Sequence, residues 1–452
     1  MLYRKIRSYI DDHLRSNEDK ILLIEGARQI GKSYIIRDVG TELYDNYVEI
    51  NFVEDDAGDK IFRNVRTTEE FYLNLSMVAG FKLDKYENTL VFIDEIQHYP
   101  QFLTMLKFLR QEHRYRFICS GSLLGIALKK TVSVPVGSII PKKMYQLDFE
   151  EFLIANDFGE DAIVHLRKSF EQKQPLAPEV HDKVLSLFKR YLLVGGMPDA
   201  VNEYLNSHNI VKVREVQAAI RELYGVDASR YEEDAAKKLY IRRIYDMIPS
   251  QMENKKKRIV AKDILDRKGD RFSNYVEEFE YLINSGITIA SHAISNPKYP
   301  LAESQQKNLL KLYMNDVGML TSQLYHYNIQ PILNDIASIN LGSVYESAVA
   351  QELKAHYEKL FYYDNKQKGE VDFLVDDSST MSVLPIEVKS GKDYTVHSAL
   401  DSLMAIQDYH IVSSIVLSNE REIKTKGNIL YLPIYYVMFL ENKVPEKENL
   451  YF

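Results

Sequence analysis

Short apolar runs recur through the first third of the chain, each ending in polar residues or glycine. Four of these runs are predicted as buried strands, namely Lys20–Glu25, Tyr47–Phe52, Thr89–Asp94 and Tyr115–Ser120. Between them lie segments with helical spacing of apolar residues, at 32–40, 68–78 and 101–111. Strands that alternate with helices predict βαβ units and a parallel sheet. The pattern therefore predicts an α/β fold for this part of the chain.

The pattern changes twice further along. It is helical from about 148 to 230, and short helices are predicted over 236–325. After Gly342 the order is helix, three strands, helix and more strands. The expected domains are 1–150, 151–232, 233–327 and 328–447. Residues 448–452 resemble a protease-cleavage tag and are left out of the fold prediction.

Composition narrows the class of protein. The chain has 452 residues, a net charge of −8 and a single cysteine, Cys119. One cysteine excludes an internal disulfide framework, and the acidic balance predicts no general attraction to polyanions. No apolar stretch approaches the ~18 residues of a membrane span, and the chain starts with charged residues instead of a signal core. We therefore expect a cytoplasmic protein with no membrane partner.

The segment 26–33 reads Gly-Ala-Arg-Gln-Ile-Gly-Lys-Ser, which is the GxxxxGKS phosphate loop between a strand and a helix. Backbone amides of such a loop hold a polyphosphate at the positive end of the helix. Lys32 is expected to reach the β- and γ-phosphates, and Ser33 to complete a Mg²⁺ site. The expected ATP-binding residues are Gly26, Arg28, Gln29, Ile30, Gly31, Lys32 and Ser33. The alternative is an ordinary glycine-containing turn.

Two acids end the third predicted strand. Asp94 is expected to hold Mg²⁺, and Glu95 to polarise the water that attacks the γ-phosphate. Ser120 ends the next strand, where a polar side chain is expected to contact the γ-phosphate or that water; a simple turn is the alternative.

Several motifs together resemble a bacterial and archaeal group of AAA-type ATPases with a C-terminal domain of unknown function. In this sequence they occupy 26–33, 92–97, 120–122, 147–153, 195–198 and 311–318. The first two are specific to nucleotide binding, and the later ones only to the group. The resemblance implies an AAA-like core over 1–150 and a helical lid over 151–232. It also implies a nucleotide site completed by a neighbouring subunit, and hence a homo-oligomer.

One position departs from the group. Many relatives have Gly-Arg shortly before the 147–153 motif, whereas this chain has Gly137-Ser138. An arginine that offsets transition-state charge is worth ~10³–10⁵ in rate. Either another arginine takes this role or hydrolysis is slow; the available ones include Arg110, Arg114, Arg116 and Arg190.

A basic segment precedes a predicted helix-turn-helix. Residues 236–271 contain 12 Lys/Arg against 5 Asp/Glu. Helices are predicted over Ile259–Leu265 and Phe272–Ser285, followed by an extended run at Ile287–Ser291. This order is typical of a winged helix, so DNA is an expected partner of 233–327. Packing against the ATPase core is the alternative.

Acidic residues and a lysine mark the C-terminal domain. Glu387 and Lys389 are two apart on a predicted strand, hence on one side, and Asp372 lies on the preceding strand. The order resembles the PD-(D/E)xK nuclease core, in which Glu346, Asp372 and Glu387 would bind Mg²⁺ or Mn²⁺ and Lys389 would act on a metal-bound water. Val371 stands where proline is usual. The alternatives are an ion cluster without metal and a domain that binds without cutting.

The sequence thus predicts an ATPase that couples nucleotide state to a nucleic-acid-acting, nuclease-like domain. The second interpretation is a nucleotide-gated regulatory or scaffolding protein.

Overall fold

The computed structural model describes residues 2–83, 88–122, 137–230, 234–254, 257–305, 309–334, 341–391 and 393–442. Residues 448–452 therefore lie outside the described part of the chain. The chain divides into two compact units. The first comprises Tyr3–Gln146 with the short segment Asn284–Ile287, and the second comprises Leu147–Ile283 with the chain from Thr288 onward.

The first unit is built on a parallel five-stranded sheet. Its strands are β1 (Ile21–Glu25), β2 (Asn46–Asn51), β3 (Thr89–Asp94), β4 (Arg116–Gly121) and β5 (Ile139–Lys143). They lie in the order β2-β3-β4-β1-β5, and every neighbouring pair is parallel. The carboxyl ends of all five strands therefore meet at one edge. This sheet confirms the predicted α/β class and the four strands expected from the apolar runs.

Helices cover this sheet. They are α1 (Ile6–Arg15), α2 (Lys32–Leu43), α3 (Phe52–Ala57), α4 (Thr68–Ala79) and α5 (Gln101–Gln111). The three helices predicted from periodicity are confirmed as α2, α4 and α5. A capping box between Thr67 and Glu70 begins α4, which explains its sharp start. Buried aromatic rings, including Phe52 and Phe102 at 4.8 Å between centroids, pack between the sheet and the helices.

The second unit begins with helices, as the pattern of 148–230 predicted. They are α6 (Phe149–Ala155), α7 (Glu160–Glu171), α8 (Pro178–Val194), α9 (Pro198–Ser207), α10 (Ile210–Arg230), α11 (Ala235–Met252), α12 (Lys262–Leu265) and α13 (Val276–Asn284). Later helices are α14 (Val317–Tyr325), α15 (Gln330–Leu333), α16 (Gly342–His356) and α17 (Ser398–Met404). No described helix is both long and apolar enough to cross a membrane.

The second unit also contains a mixed eight-stranded sheet. Its strands are β6 (Thr288–Ile294), β7 (Leu310–Met314), β8 (Leu360–Asn365), β9 (Gly369–Asp377), β10 (Ser382–Lys389), β11 (Ser414–Ser418), β12 (Lys424–Lys426) and β13 (Ile429–Pro433). The spatial order is β12-β13-β11-β10-β9-β8-β6-β7. Strand β6 pairs with β8 in parallel, so this sheet crosses the boundary predicted at 327/328. The four-domain division stays a prediction.

The structure of the segment expected to form a winged helix differs in detail from the prediction. The helix predicted over Ile259–Leu265 is only the four-residue α12, because the Ile259 amide donates to the Leu310 carbonyl at 3.1 Å and draws this residue to a strand. The extended run predicted after α13 is β6, which pairs with β7 and β8 as part of the larger sheet. The winged-helix assignment therefore stays a prediction.

The sequence motifs at 195–198 and 311–318 contact each other in the structure. Gly195 ends α8 with a φ of 73°, and a Cβ there would lie 2.1 Å from Asp316 Oδ1. The Gly196 amide donates to Asp316 Oδ2 at 2.6 Å, while Asp316 Oδ1 accepts from the Met319 amide at 3.0 Å and caps α14. A side chain at Gly195 would occupy the place of this carboxylate, and one at Gly196 would lie 2.0 Å from the Leu147 carbonyl oxygen. These motifs therefore hold the second unit together.

Candidate nucleotide site

The phosphate loop joins β1 to α2 as the motif predicted. Gly31 has a φ of 89° and precedes α2, and Gln29 has a φ of 63°. A Cβ on Gly26 would lie 2.3 Å from the Met144 carbonyl oxygen, so the backbones must pack this closely without one. The first turn of α2 contains no acidic residue and no side-chain cap. Its amides and dipole are thus left for an anion.

The Lys32 side chain lies inside this loop. It is 5% exposed, and its Nζ donates to the carbonyl oxygens of Gly26 at 3.1 Å and Ala27 at 2.7 Å. Burial lowers the pKa of Lys32, and the charges of Glu95 and Asp94 act against that shift. Ile30 of the loop has a contact of its own, because its carbonyl oxygen accepts a hydrogen bond from Arg4 Nη1 at 2.8 Å.

Asp94 lies at the end of β3 and contacts two serines. Ser33 Oγ donates to Asp94 Oδ2 at 2.7 Å, and Ser120 Oγ donates to Asp94 Oδ1. Burial raises the pKa of Asp94, while the hydrogen bonds from Ser120 and Ser33 lower it. A hydroxyl and a carboxylate at this separation are hard oxygen donors of the kind Mg²⁺ prefers. The residues at this position therefore fit Mg²⁺, which Ser33 and Asp94 could hold. Ser120, expected at the γ-phosphate, lies against Asp94.

Glu95 follows Asp94 with a φ of 52°, an uncommon left-handed conformation for a non-glycine residue. Its carboxylate accepts hydrogen bonds at Oε2 from Gln97 Nε2 and from Ser122 Oγ, the latter at 3.0 Å. Burial opposes ionisation, but the charges of Lys32 and Arg28 outweigh it, so the pKa of Glu95 is lowered. A carboxylate that stays ionised is suited to accept a proton from water.

The sequence interpretation did not assign functions to Gln97 or Ser122. Both are buried, and each reaches Glu95 from a different strand end. The only signal for them was their place within the motifs 92–97 and 120–122.

Arg110 lies beside Gly137 and Ser138, where the resemblance implies an arginine. Its Nη1 donates to the Gly137 carbonyl at 2.8 Å and to Ser138 Oγ at 3.2 Å, and its Nε pairs with Asp19 at 3.1 Å. A guanidinium thus lies beside Ser138 even though the sequence has none at that position.

Two of the C-terminal candidates come together as predicted. Lys389 Nζ pairs with Glu387 Oε1 at 2.8 Å on β10, and Asp372 Oδ2 on β9 accepts from the Val388 amide at 2.8 Å. Burial and the negative charge of Asp372 raise the pKa of Glu387. Glu387 Oε2 is buried without a hydrogen-bond partner. A cation bound here would pair this oxygen and offset the repulsion between the two carboxylates.

Glu346 has different surroundings from those expected. Its carboxylate is 1% exposed and pairs with Lys257 Nζ at Oε2 and with Lys311 Nζ at Oε1, the latter at 2.9 Å. Tyr313 OH also donates to Oε1 at 2.6 Å. Burial opposes ionisation, but Lys311 and Lys257 lower the pKa of Glu346. Two ammonium groups thus neutralise this acid without a metal ion.

Within the described ranges, no group of three or more His, Cys, Asp or Glu side chains is arranged to hold a metal ion. At the C-terminal site the fit is therefore limited to a pair of ligands, Asp372 and Glu387.

The comparisons with known proteins give one match that nearly coincides with the first unit. Residues 18–153 match the family model described as an AAA domain. Residues 185–327 and 341–437 match two models described as domains of unknown function, DUF8612 and DUF4143. Residues 18–153 are thus similar to an AAA domain, and the two later matches carry no described role. No curated protein sequence matches it.

Several solved structures are similar to this chain. A Walker-type ATPase of Pyrococcus abyssi is 16% identical, with a TM-score of 0.44, over 71% of this chain and 95% of its own. The Orc1 protein of Aeropyrum pernix, solved in complex with DNA, is 12% identical, with a TM-score of 0.31, over 74% and 91%. PCH-2 of C. elegans is 14% identical, with a TM-score of 0.29, over 46% and 65%.

Proposed function

We propose that this protein hydrolyses ATP with Mg²⁺ and couples its nucleotide state to a C-terminal domain that acts on nucleic acid. The observation that supports hydrolysis is the contact between Ser33 Oγ and Asp94 Oδ2 at 2.7 Å, next to the ionised Glu95. This arrangement combines a magnesium-binding pair with a general base beside a phosphate loop.

Each residue has a distinct task in this proposal. Loop amides and Lys32 bind the β- and γ-phosphates, and Lys32 exchanges its bonds to the Gly26 and Ala27 carbonyls for phosphate oxygens. Ser33 and Asp94 would hold Mg²⁺, which neutralises charge on the phosphates. Glu95 orients a water and takes its proton as the water attacks the γ-phosphorus.

Binding and turnover are tested separately. In calorimetric titration with ATP and Mg²⁺, Lys32→Ala is expected to abolish binding. Glu95→Gln should bind ATP like the wild type but lose turnover by ~10²–10⁴-fold. Lys107→Ala, an exposed lysine on α5, is the matched control and should behave as the wild type. Normal ATP binding by Lys32→Ala would overturn the proposal.

For the C-terminal domain we propose metal-dependent cleavage of a phosphodiester. Asp372 and Glu387 would bind Mg²⁺ or Mn²⁺, and Lys389, 2.8 Å from Glu387, would orient the attacking water. The unpaired Glu387 Oε2 supports this proposal. DNA is the proposed substrate, with the basic segment 236–271 as the contact region.

The second candidate is a regulatory or scaffolding ATPase whose C-terminal domain only binds a partner. One observation favours it: Glu346 is already neutralised by Lys257 and Lys311, so one of the three proposed metal ligands is occupied.

A cleavage assay with Mn²⁺ on single-stranded, duplex and branched DNA separates the two candidates. Cleavage by the wild type that is lost in Lys389→Ala but kept in Lys368→Ala, an exposed lysine control, supports the nuclease. No cleavage of any substrate by folded wild type supports the regulator.

We further propose that the protein works as a homo-oligomer, as the resemblance implies, and in the cytoplasm, as the composition predicts. Light scattering after size exclusion, with and without ATP, tests the oligomer, and a monomer in both states would exclude it.

A further inference from the structure

Among the described residues, side-chain hydrogen bonds hold the carboxylate of Glu95 at one oxygen, Oε2. Gln97 Nε2 and Ser122 Oγ both donate to Oε2, and Gln97 Nε2 also donates to Ser122 Oγ at 3.1 Å. The three side chains thus form a closed network, in which Ser122 accepts from Gln97 and donates to Glu95. In the described part of the chain, Glu95 Oε1 has no such partner, which leaves it as the oxygen that can take a proton.

The sheet brings these side chains together. Strands β3 and β4 are parallel neighbours, with Ile93 opposite Cys119, so their carboxyl ends lie side by side. Gln97 belongs to a 3-10 turn, Ile96–His98, directly after β3, and Ser122 directly follows β4. The left-handed backbone of Glu95 turns the chain sharply enough for Gln97 to reach back. The network is therefore fixed by regular elements and not by a long loop.

A second atom of this network, the amide oxygen of Gln97, also lacks a hydrogen-bond partner among the described residues. Gln97 is 5% exposed, and its Oε1 is buried without a hydrogen bond. Buried amide oxygens are nearly always paired, because losing water without a replacement is unfavourable. A water beside Glu95 would supply the missing hydrogen bond. Structural packing alone gives no reason to leave this acceptor open next to a general base.

We propose that Gln97 and Ser122 are positioning residues for ATP hydrolysis, which fix Glu95 through Oε2 so that Oε1 and the Gln97 carbonyl face one attacking water. This inference rests on the proposed ATPase function. The water oxygen forms the new bond to the γ-phosphorus as the bond from phosphorus to the ADP oxygen breaks. The water proton moves to Glu95 Oε1 and then to the released phosphate, so that Glu95 is restored.

The test separates turnover from binding. Gln97→Met keeps the length of the side chain but removes both polar atoms, and Ser122→Ala removes the hydroxyl. We expect kcat to fall about 10- to 100-fold in each, within the range that general-base catalysis supplies. KM and the Kd for ATP should stay within about twofold of the wild type, because neither side chain is expected to touch the phosphates.

Two controls exclude a merely structural effect. Ser122→Thr retains the hydroxyl and should recover most of the kcat lost in Ser122→Ala. Gln111→Met makes the same substitution at the exposed end of α5 and should leave kcat unchanged. If Gln97→Met does not fold, the Ser122 pair still decides the question.

The possible results distinguish failure of this inference from failure of the proposed ATPase function. Wild-type protein that neither binds nor hydrolyses ATP overturns both. Wild-type hydrolysis with an unchanged kcat in Gln97→Met and Ser122→Ala overturns this inference alone. A fall in kcat matched by an equal loss of ATP affinity also overturns it, because that result indicates a damaged nucleotide site.

Discussion

Ser33 Oγ donates to Asp94 Oδ2 across 2.7 Å, although the two residues lie 61 positions apart in the chain. Ser33 lies in the first turn of α2 and Asp94 ends β3, so the contact depends on the tertiary fold that brings these two elements together. The fold of the first unit thereby brings the hydroxyl and the carboxylate together.

The first prediction concerns this contact. In Ser33→Ala, Mg²⁺ should no longer strengthen ATP binding, because a ligand of the ion is lost. We expect affinity about 10-fold below wild type in Mg²⁺ but equal to it in EDTA, measured by calorimetry. Ser76→Ala, an exposed serine in α4, should keep the full Mg²⁺ effect. Full Mg²⁺ dependence in Ser33→Ala would show that the ion is bound elsewhere.

The second prediction concerns the packing of the phosphate loop. Gly26→Ala places a Cβ 2.3 Å from the Met144 carbonyl oxygen and 2.6 Å from Ile30 Cδ1, so the backbone must move. Overpacking of this kind typically costs about 1–3 kcal/mol. We expect a lower unfolding temperature and weaker ATP binding. Gly159→Ala, where a Cβ meets nothing within 4 Å, should change neither.

The third prediction concerns the buried charges around Glu346. Lys311 is fully buried and pairs with Glu346 at 2.9 Å and Glu370 at 2.7 Å. Removing one partner of a buried ion pair costs about 3–5 kcal/mol, so Lys311→Met should destabilise the second unit by this amount in urea unfolding.

Two further variants serve as controls for Lys311→Met. One makes the same substitution at an exposed lysine, and the other also changes an ion-pair partner of Lys311. Lys368→Met, an exposed site, should cost little. Adding Glu370→Gln to Lys311→Met should recover part of the loss, because Glu370 loses its partner Lys311 whereas Glu346 keeps Lys257. Rescue of Lys311→Met by Mn²⁺ instead would show that Glu346 can bind a metal ion after all.

The fourth prediction concerns pH. Burial, with the charges of Lys359 and Lys354, lowers the pKa of His292 from 6.5 to about 4. The unfolded chain therefore takes up a proton at higher pH than the folded chain, and stability is lost as pH falls from about 6.5 towards 4. Thermal unfolding at pH 7 and pH 5 measures this loss. His292→Gln should reduce the difference, whereas His165→Gln, at an exposed site, should leave it; equal pH dependence in all three proteins would contradict the assignment.

Local sequence was enough to predict the phosphate loop. A strand, a glycine loop and a helix are set by neighbouring residues, and the GxxxxGKS spacing placed Lys32 and Ser33 where the structure has them. Asp94 was predictable because an apolar strand that ends in acids aligns with β1 at one sheet edge.

Contacts between distant segments were not predictable in the same way. Glu346 was expected at a metal, but Lys257 and Lys311 reach it from 89 and 35 positions away. Ser120, expected to contact the γ-phosphate or the attacking water, donates to Asp94, a contact that strand register and not spacing decides; its role towards nucleotide stays a prediction. Gln97 acts through another side chain, and such a role leaves no periodic signal.

The pairing of β6 with β8 determines which fragments of this protein can stand alone. A polypeptide starting at 328 would lose β6 and β7, so the backbone amides and carbonyls along one side of β8 would face water. Exposed strand edges of this kind recruit strands from other molecules, and such a fragment should self-associate. Truncation from the amino terminus should therefore spare Thr288 and everything after it.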